Sequence, residues 1–186
     1  MTPRRRDKIE RVLRRRQPDL TVVAEDVFKP HNLSAVLRTC DAVGIGLVHA
    51  VNPTGGVPTY NAASASAHKW VRLHVHKTVE AAFAALRSRN MRIYAAHLSD
   101  KAVDYRTVDY TQPLCVVLGN ERQGVSPAAS SLADGHIIIP MLGMVPSLNV
   151  SVAAAVILFE AQRQRLRAGL YDTPLLSSGS GAIAKG

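Results

Sequence analysis

Apolar residues occur along this chain in two patterns: short continuous runs, and longer stretches in which they recur every three or four positions. The runs are typical of strands buried in a parallel sheet, and the recurring pattern is typical of helices with one face against a core. Strands are predicted at residues 20–23, 47–51, 70–75, 91–97, 114–118 and 136–139, with helices between them. This alternation predicts an α/β fold, a sheet with helices on both faces.

Three of the predicted helices have clear limits. Residues 31–43 carry apolar side chains at helical spacing and end at Gly44, a good helix terminator. Residues 79–89 show the same pattern and are predicted to be purely structural. Residues 148–168 are apolar on nearly every side as far as Phe159. The last pattern predicts burial all round, either at the centre of the domain or, as we favour, at a subunit interface.

Two of the predicted strands run directly into turn-rich segments. Residues 114–118 lead into a turn that contains Asn120 and Glu121. Residues 136–139 lead through a loop rich in Gly and Pro to Ser147 and Asn149, which open the last helix. Because adjacent strand ends of an open α/β sheet form a crevice in which ligands bind, the two segments together predict a ligand site.

Length and charge narrow the class of protein. The chain has 186 residues and 47% apolar content, enough for the core of one domain. Its formal net charge is +9, and residues 1–17 carry six of these charges. A cationic block of this density favours phosphate binding over a merely solvated face. A membrane-surface helix is the least favoured alternative, because Ile9, Val12 and Leu13 form only a narrow apolar stripe.

Several other classes are not expected. The longest apolar stretch is about half as long as a membrane span requires, so a cytoplasmic protein is expected. Cys40 and Cys115 lie within apolar patterns and are predicted to be buried free thiols. No group of Cys, His and acidic residues has the sequence spacing of a metal site, and no metal is expected.

Three ordered motifs resemble those of the SPOUT RNA methyltransferases, most closely the TrmH branch. They are residues 29–41 (KPHNLSAVLRTCD), residues 118–121 (LGNE) and residues 139–151 (IPM, then SLNVS). The resemblance extends from Arg11 to Tyr171, and three motifs in the right order are more specific than one Gly-rich turn. The turn-rich loop at residues 52–61 also resembles this branch, and it is expected to contact RNA.

The resemblance implies an α/β fold whose C-terminal part forms a deep trefoil knot, and a homodimer with active sites at its interface. It implies S-adenosylmethionine as cofactor and methylation of a ribose 2'-hydroxyl in tRNA, with guanosine 18 as the expected position. The expected organisation is a basic RNA-binding helix at residues 1–17, a methyltransferase domain at 18–171 and a flexible tail at 172–186. Methylation of ribosomal RNA and a non-catalytic RNA-binding module remain as alternatives.

The matched motifs also imply roles for individual residues. The cofactor pocket is expected to be lined by Ala95, Leu118, Gly119, Ile139, Met141 and Leu148. The catalytic group is expected to comprise Arg38, Asn32, Glu121, Ser147 and Asn149. Phosphates of the RNA are expected to bind Arg4, Arg11, Arg14, Arg15, His31, Arg163 and Arg165. Because a guanidinium does not lose its proton near neutral pH, we expect Arg38 to stabilise the developing alkoxide electrostatically.

Simpler structural roles remain open for several of these residues. Ala95 fits a core residue as well as a position that lets the cofactor approach closely. Arg38 would pair with Asp41 if it were only a surface arginine. Glu121 would orient Arg38 or contact the guanine edge, or it would be a carboxylate stabilised at a helix start. Ser147 and Asn149 would also serve as N-terminal caps of the last helix.

Overall fold

The computed structural model describes residues 1–27, 29–53 and 70–172. The expected RNA contact of the loop at residues 52–61 lies mostly outside these residues. The expected flexible tail at residues 172–186 also lies outside them, apart from Asp172.

Within these residues, seven parallel strands form one sheet with the order β3-β2-β1-β6-β4-β7-β5. The strands are β1 (Leu20–Glu25), β2 (Leu47–Val51), β3 (Arg72–His76), β4 (Arg92–Ala96), β5 (Val103–Asp104), β6 (Leu114–Leu118) and β7 (Gly135–Ile138). The helices are α1 (Pro3–Arg14), α2 (Pro30–Ala42), α3 (Val79–Arg87), α4 (Pro127–Leu132) and α5 (Val150–Arg167), and a 3-10 turn spans Tyr105–Thr107. The predicted α/β fold is confirmed, and its sheet is parallel.

Each face of the sheet is covered by a different pair of helices. Successive side chains of a strand point to opposite faces, so Val22 and Val23 of β1 belong to different cores. On the Val22 face, the sheet packs against apolar residues of α2 and α5. On the Val23 face, it packs against α3 and α4. The two layers bury both faces of the central strands, which explains their continuous apolar runs.

The helix α5 is not buried on all sides within one chain. Ala154, Ile157 and Leu158 are buried against the sheet. Val152 is 47% exposed and Phe159 is 49% exposed. The alternative of a central position in the domain is therefore wrong, the favoured subunit interface remains a prediction, and α5 presents an apolar surface to the outside.

The basic helix α1 lies on the surface and buries no residue. Thr2 caps its first turn, and Pro3 stands at the start, where its missing N–H costs nothing. The chain after α1 is fixed by Arg16, which donates to Oδ1 of Asp41 at 2.8 Å, to the carbonyl of Ile45 at 2.8 Å and to the carbonyl of Trp70 at 2.9 Å. One arginine of the basic block is therefore structural.

Two expectations from the apolar pattern can be compared directly with the described residues. Cys40 and Cys115 are free and buried, as predicted, and burial raises the pKa of both thiols. Among the described helices, none combines the length and the apolar character that a membrane crossing needs.

Candidate active site

Three of the predicted catalytic residues form a continuous hydrogen-bonded chain. Asn32 donates from Nδ2 to Oε1 of Glu121 at 2.6 Å. Asn149 donates from Nδ2 to Oδ1 of Asn32 at 3.2 Å. The structure thus brings together the first turn of α2, the turn after β6 and the start of α5, which are far apart in the sequence.

Local helix structure fixes the positions of the two asparagines in this hydrogen-bonded series. Asn32 lies in the first turn of α2, behind Pro30, and is only 2% exposed. Asn149 is the N-cap of α5, and its Oδ1 accepts from the backbone amide of Ser151 at 2.8 Å. Capping uses the carbonyl oxygen of Asn149, which leaves its amide group free to hold Asn32. Asn149 therefore both caps α5 and holds Asn32 at the predicted site.

The turn that carries Glu121 is closed by two backbone hydrogen bonds between Asn120 and Gly124, at 2.8 and 2.9 Å. Gly119 lies directly under this turn, and a Cβ there would overlap the carbonyl group of Gly124. The Asn120 side chain donates to the carbonyl of Asp26 at 3.1 Å, which ties the turn to the end of β1. Gly119 is thus required by packing within the chain, and Asn120 is a positioning residue that the sequence analysis did not select.

Glu121 is held as a carboxylate. Burial opposes its ionisation, but the hydrogen bond from Asn32, backbone amides and the charge of Lys29 outweigh burial and lower its pKa. Glu121 does not lie at a helix start, because α4 begins only at Pro127. It also contacts Asn32 and not Arg38, so the expected orientation of Arg38 by Glu121 is not found.

Arg38 is exposed on α2 and makes no hydrogen bond or ion pair with any described residue. The alternative in which it pairs with Asp41 is wrong, since Asp41 pairs with Arg16 at 2.8 Å. A guanidinium without an internal partner is available for an external anion.

The predicted cofactor residues divide into core residues and loop residues. Leu118 is buried on the α2 and α5 face of the sheet, and Ala95 is buried on the opposite face. The side chain of Ala95 is thus a core residue, and its expected role in the cofactor pocket remains a prediction. Ile139, Met141 and Leu148 are partly exposed around the loop between β7 and α5.

The loop between β7 and α5 has the groups that an adenosine cofactor needs. In the described chain, residues 140–147 make no backbone-to-backbone hydrogen bond, so their carbonyls, and the N–H groups of all but Pro140 and Pro146, are available to a ligand. Leu142 and Met144 are fully exposed. Apolar side chains suit the flat adenine ring of an adenosine cofactor, and unpaired peptide groups suit its polar edge and ribose. Ser147 is exposed in this loop and does not cap α5, since Asn149 is the cap.

The predicted phosphate-binding residues are mostly at the surface. Arg4, Arg11, Arg14, Arg15 and His31 are exposed, and Arg163 pairs with Glu160 at 2.6 Å but keeps 47% of its side chain exposed. These residues remain predictions.

Arg165 is the exception, because it is completely buried. Its guanidinium donates to Oδ1 of Asp19 at 2.6 Å, to Oε1 of Gln17 at 2.9 Å and to the carbonyls of Tyr110 and Gln112 at 2.8 and 3.0 Å. The prediction that Arg165 binds RNA is wrong: it holds the end of α5 against the segments that flank β1 and β6.

Comparison with known proteins agrees with this geometry. Residues 19–159 match the SpoU rRNA Methylase family. The chain is 65% identical over 175 residues to a tRNA (guanosine(18)-2'-O)-methyltransferase of Thermus thermophilus, which covers 94% of this chain and 90% of that protein.

Solved structures of RNA-modifying enzymes also share the fold of this chain. A TrmH/SpoU tRNA modifying enzyme of Aquifex aeolicus superimposes with a TM-score of 0.88 at 43% identity, covering 94% of this chain and 89% of that one. An AdoMet-bound rRNA methyltransferase of Sinorhizobium meliloti gives a TM-score of 0.72 at 28% identity, covering 82% and 59%. The resemblance stated from the three motifs is confirmed, and the chain belongs to the SpoU methylase family.

Proposed function

We propose that the protein transfers the methyl group of S-adenosylmethionine to the ribose 2'-hydroxyl of guanosine 18 in tRNA. The observation that carries this proposal is the 65% identity, over nearly the full length of both chains, to a protein named for that activity. Ribosomal RNA as substrate is not favoured, because relatives of 43 to 65% identity are named for tRNA. A non-catalytic RNA-binding role is not favoured for the same reason.

The loop between β7 and α5 would hold the cofactor. Its unpaired peptide groups would take the polar edge of the adenine and the ribose, and Ile139, Met141 and Leu148 would supply apolar walls. Bound there, S-adenosylmethionine supplies an activated methyl group. We further propose that this loop belongs to a deep trefoil knot, as the family resemblance implies.

Methyl transfer forms a bond between the 2'-oxygen and the methyl carbon, breaks the bond from that carbon to sulfur, and releases the hydroxyl proton to solvent. Negative charge develops on the 2'-oxygen, and the exposed Arg38 would stabilise it by charge-assisted hydrogen bonds. The N-termini of α2 and α5 meet at Asn32 and Asn149, and their positive dipole ends favour an anion at the same place.

The side-chain hydrogen bonds from Asn149 to Asn32 and from Asn32 to Glu121 would position this site. Asn32 is too buried to reach a substrate freely, so it acts on the relative placement of α2, α5 and the turn after β6. A misplacement of about 1 Å in such a site costs on the order of 100-fold in rate. Glu121 serves here as the acceptor that fixes the orientation of Asn32.

A second copy of the chain would complete the site. The helices α2 and α5 pack side by side. The apolar side chains of Val152 and Phe159, both on α5, remain half exposed. Arg38 lies on α2 with no partner among the described residues of its own chain. A homodimer through this surface would cover the apolar residues and enclose Arg38.

The exposed arginines of α1 would bind tRNA phosphates, in a binding that weakens with salt. A tRNA substrate also implies a cytoplasmic protein. The test is transfer of labelled methyl groups to unmodified tRNA and, in parallel, to a ribosomal RNA fragment. We expect rapid labelling of tRNA only. Preferential labelling of the ribosomal fragment, or no labelling of either RNA, would overturn the proposal.

A further inference from the structure

Three histidines lie side by side on the edge strand β3 and its neighbour β2, away from the site described above. His49 is on β2, and His74 and His76 are on the edge strand β3. The register pairs His49 with His74, and His76 follows two positions later on the same face of β3. The ring centroids are 4.5 Å apart for His74 and His76, 5.1 Å for His49 and His76, and 5.7 Å for His49 and His74.

The ring nitrogens of this cluster converge. Nδ1 of His49 lies 2.8 Å from Nε2 of His76. One ring nitrogen from each of the three histidines lies within 4.8 Å of the other two. Three imidazole nitrogens in this arrangement are the ligands that borderline divalent metals prefer.

Burial makes the cluster unusual for a purely structural group. His49 is 3% exposed, and its Nε2 has no hydrogen-bond partner among the described residues.

Contrary to the expectation from sequence spacing, we propose that His49, His74 and His76 form a binding site for a borderline divalent transition metal such as Zn²⁺. A nitrogen-to-zinc distance of about 2.0 to 2.1 Å requires ligand nitrogens somewhat farther apart than a hydrogen bond, so His49 and His76 would separate by a fraction of an ångström. The exposed His74 can adjust to complete the set. Three protein ligands leave a fourth position for water or another ligand.

A metal at this place would fasten the edge strand to the sheet. β3 pairs only with β2 among the described strands, so one ion bound by His49 and by the two β3 histidines would link the strands through their side chains. The site lies on β2 and β3, whereas Glu121 follows β6, which is separated from β2 by β1 in the sheet. We therefore expect the metal to act on stability, independently of the proposed methyl transfer.

The test uses the full chain without an affinity tag, freed of metal by chelation. Co²⁺ is titrated at pH 7.5 while its visible absorption is followed, and Zn²⁺ is then added as competitor. We expect one Co²⁺ per chain, displacement by Zn²⁺, and a melting temperature that rises with free Zn²⁺.

Two variants locate the site. His74→Ala removes an exposed ligand from the edge strand and is expected to weaken Co²⁺ binding by at least about 10-fold and to abolish the thermal shift. His97→Ala is the matched control, because His97 contacts His136 outside the cluster, and it is expected to bind like the wild type. Equal binding by wild type and His74→Ala, or no binding of one ion per chain by the wild type, would overturn the proposal.

Discussion

Asn32 donates a hydrogen bond of 2.6 Å to Glu121 although the two residues are 89 positions apart in the chain. The bond ties the start of α2 to the turn after β6, and Asn149 extends it to the start of α5. The three segments that the motifs single out are therefore held together by one buried amide.

The pairing predicts a pH-dependent contribution of Glu121 to stability. Its pKa lies below the usual value of 4.5, so the folded state favours the ionised carboxyl. The stabilisation is therefore complete above that value and is lost as the pH falls through the lowered pKa. We expect the difference in free energy of unfolding between wild type and Glu121→Gln to stay constant from neutral pH to about pH 5.5 and to change at lower pH. Urea unfolding at a series of pH values measures this difference in free energy. A difference that varies only above pH 6 would contradict the pairing of Glu121 with Asn32.

Replacement of Arg38 separates catalysis from cofactor binding. Arg38→Ala is expected to lower turnover by about 100- to 1,000-fold, because it removes the charge opposite the developing alkoxide. Arg38→Lys keeps the charge but loses the planar fork and should be intermediate. Cofactor affinity, measured by calorimetry, should be unchanged in both variants. Arg72→Ala, an exposed arginine on the edge strand, is the control and should keep full turnover.

The basic helix α1 is predicted to bind tRNA through phosphates. Changing Arg11, Arg14 and Arg15 together to Gln should weaken tRNA binding and reduce the slope of log affinity against log salt by about one for each phosphate that is no longer bound. A control that changes Arg72, Arg92 and Lys101 to Gln removes the same charge elsewhere. If both triple variants bind tRNA equally well, α1 is only a solvated face.

Arg165 is predicted to be essential for stability and not for RNA binding. Arg165→Met leaves Asp19, Gln17 and two backbone carbonyls without their donor. Loss of one partner of a buried ion pair costs about 3 kcal/mol or more in the free energy of unfolding. The exposed Arg163→Ala should cost little, because its ion pair with Glu160 is screened by solvent. Denaturant unfolding of the two variants compares them directly, and similar costs would show that the buried hydrogen bonds contribute little.

Six of the seven strands described, and the helices α2, α3 and α5, could be predicted because their signals are local. Apolar runs mark β1, β2 and β6, and the Asn149 cap is visible in the sequence just ahead of α5. The strand β5 has two residues and the helix α4 has six, which is too short for a periodic pattern. Neither could be predicted, for this reason.

The contacts between segments could not be predicted in the same way. Nothing local shows that Asn32 meets Glu121, or that His49 lies beside His74, because both depend on how distant segments are placed. Arg165 did carry a usable signal. At about 100° per residue, positions 163 and 165 point to opposite sides of a helix, so the two arginines could not share one RNA-binding face.

The most direct test of the proposed activity uses two tRNA transcripts that differ in one atom. One carries ribose at guanosine 18 and the other carries 2'-deoxyribose there, and both are incubated with the enzyme and labelled S-adenosylmethionine. We predict one methyl group per ribose-containing transcript, mapped to guanosine 18, and none on the deoxy transcript. Equal labelling of the two transcripts, or labelling of neither, would contradict the proposed function.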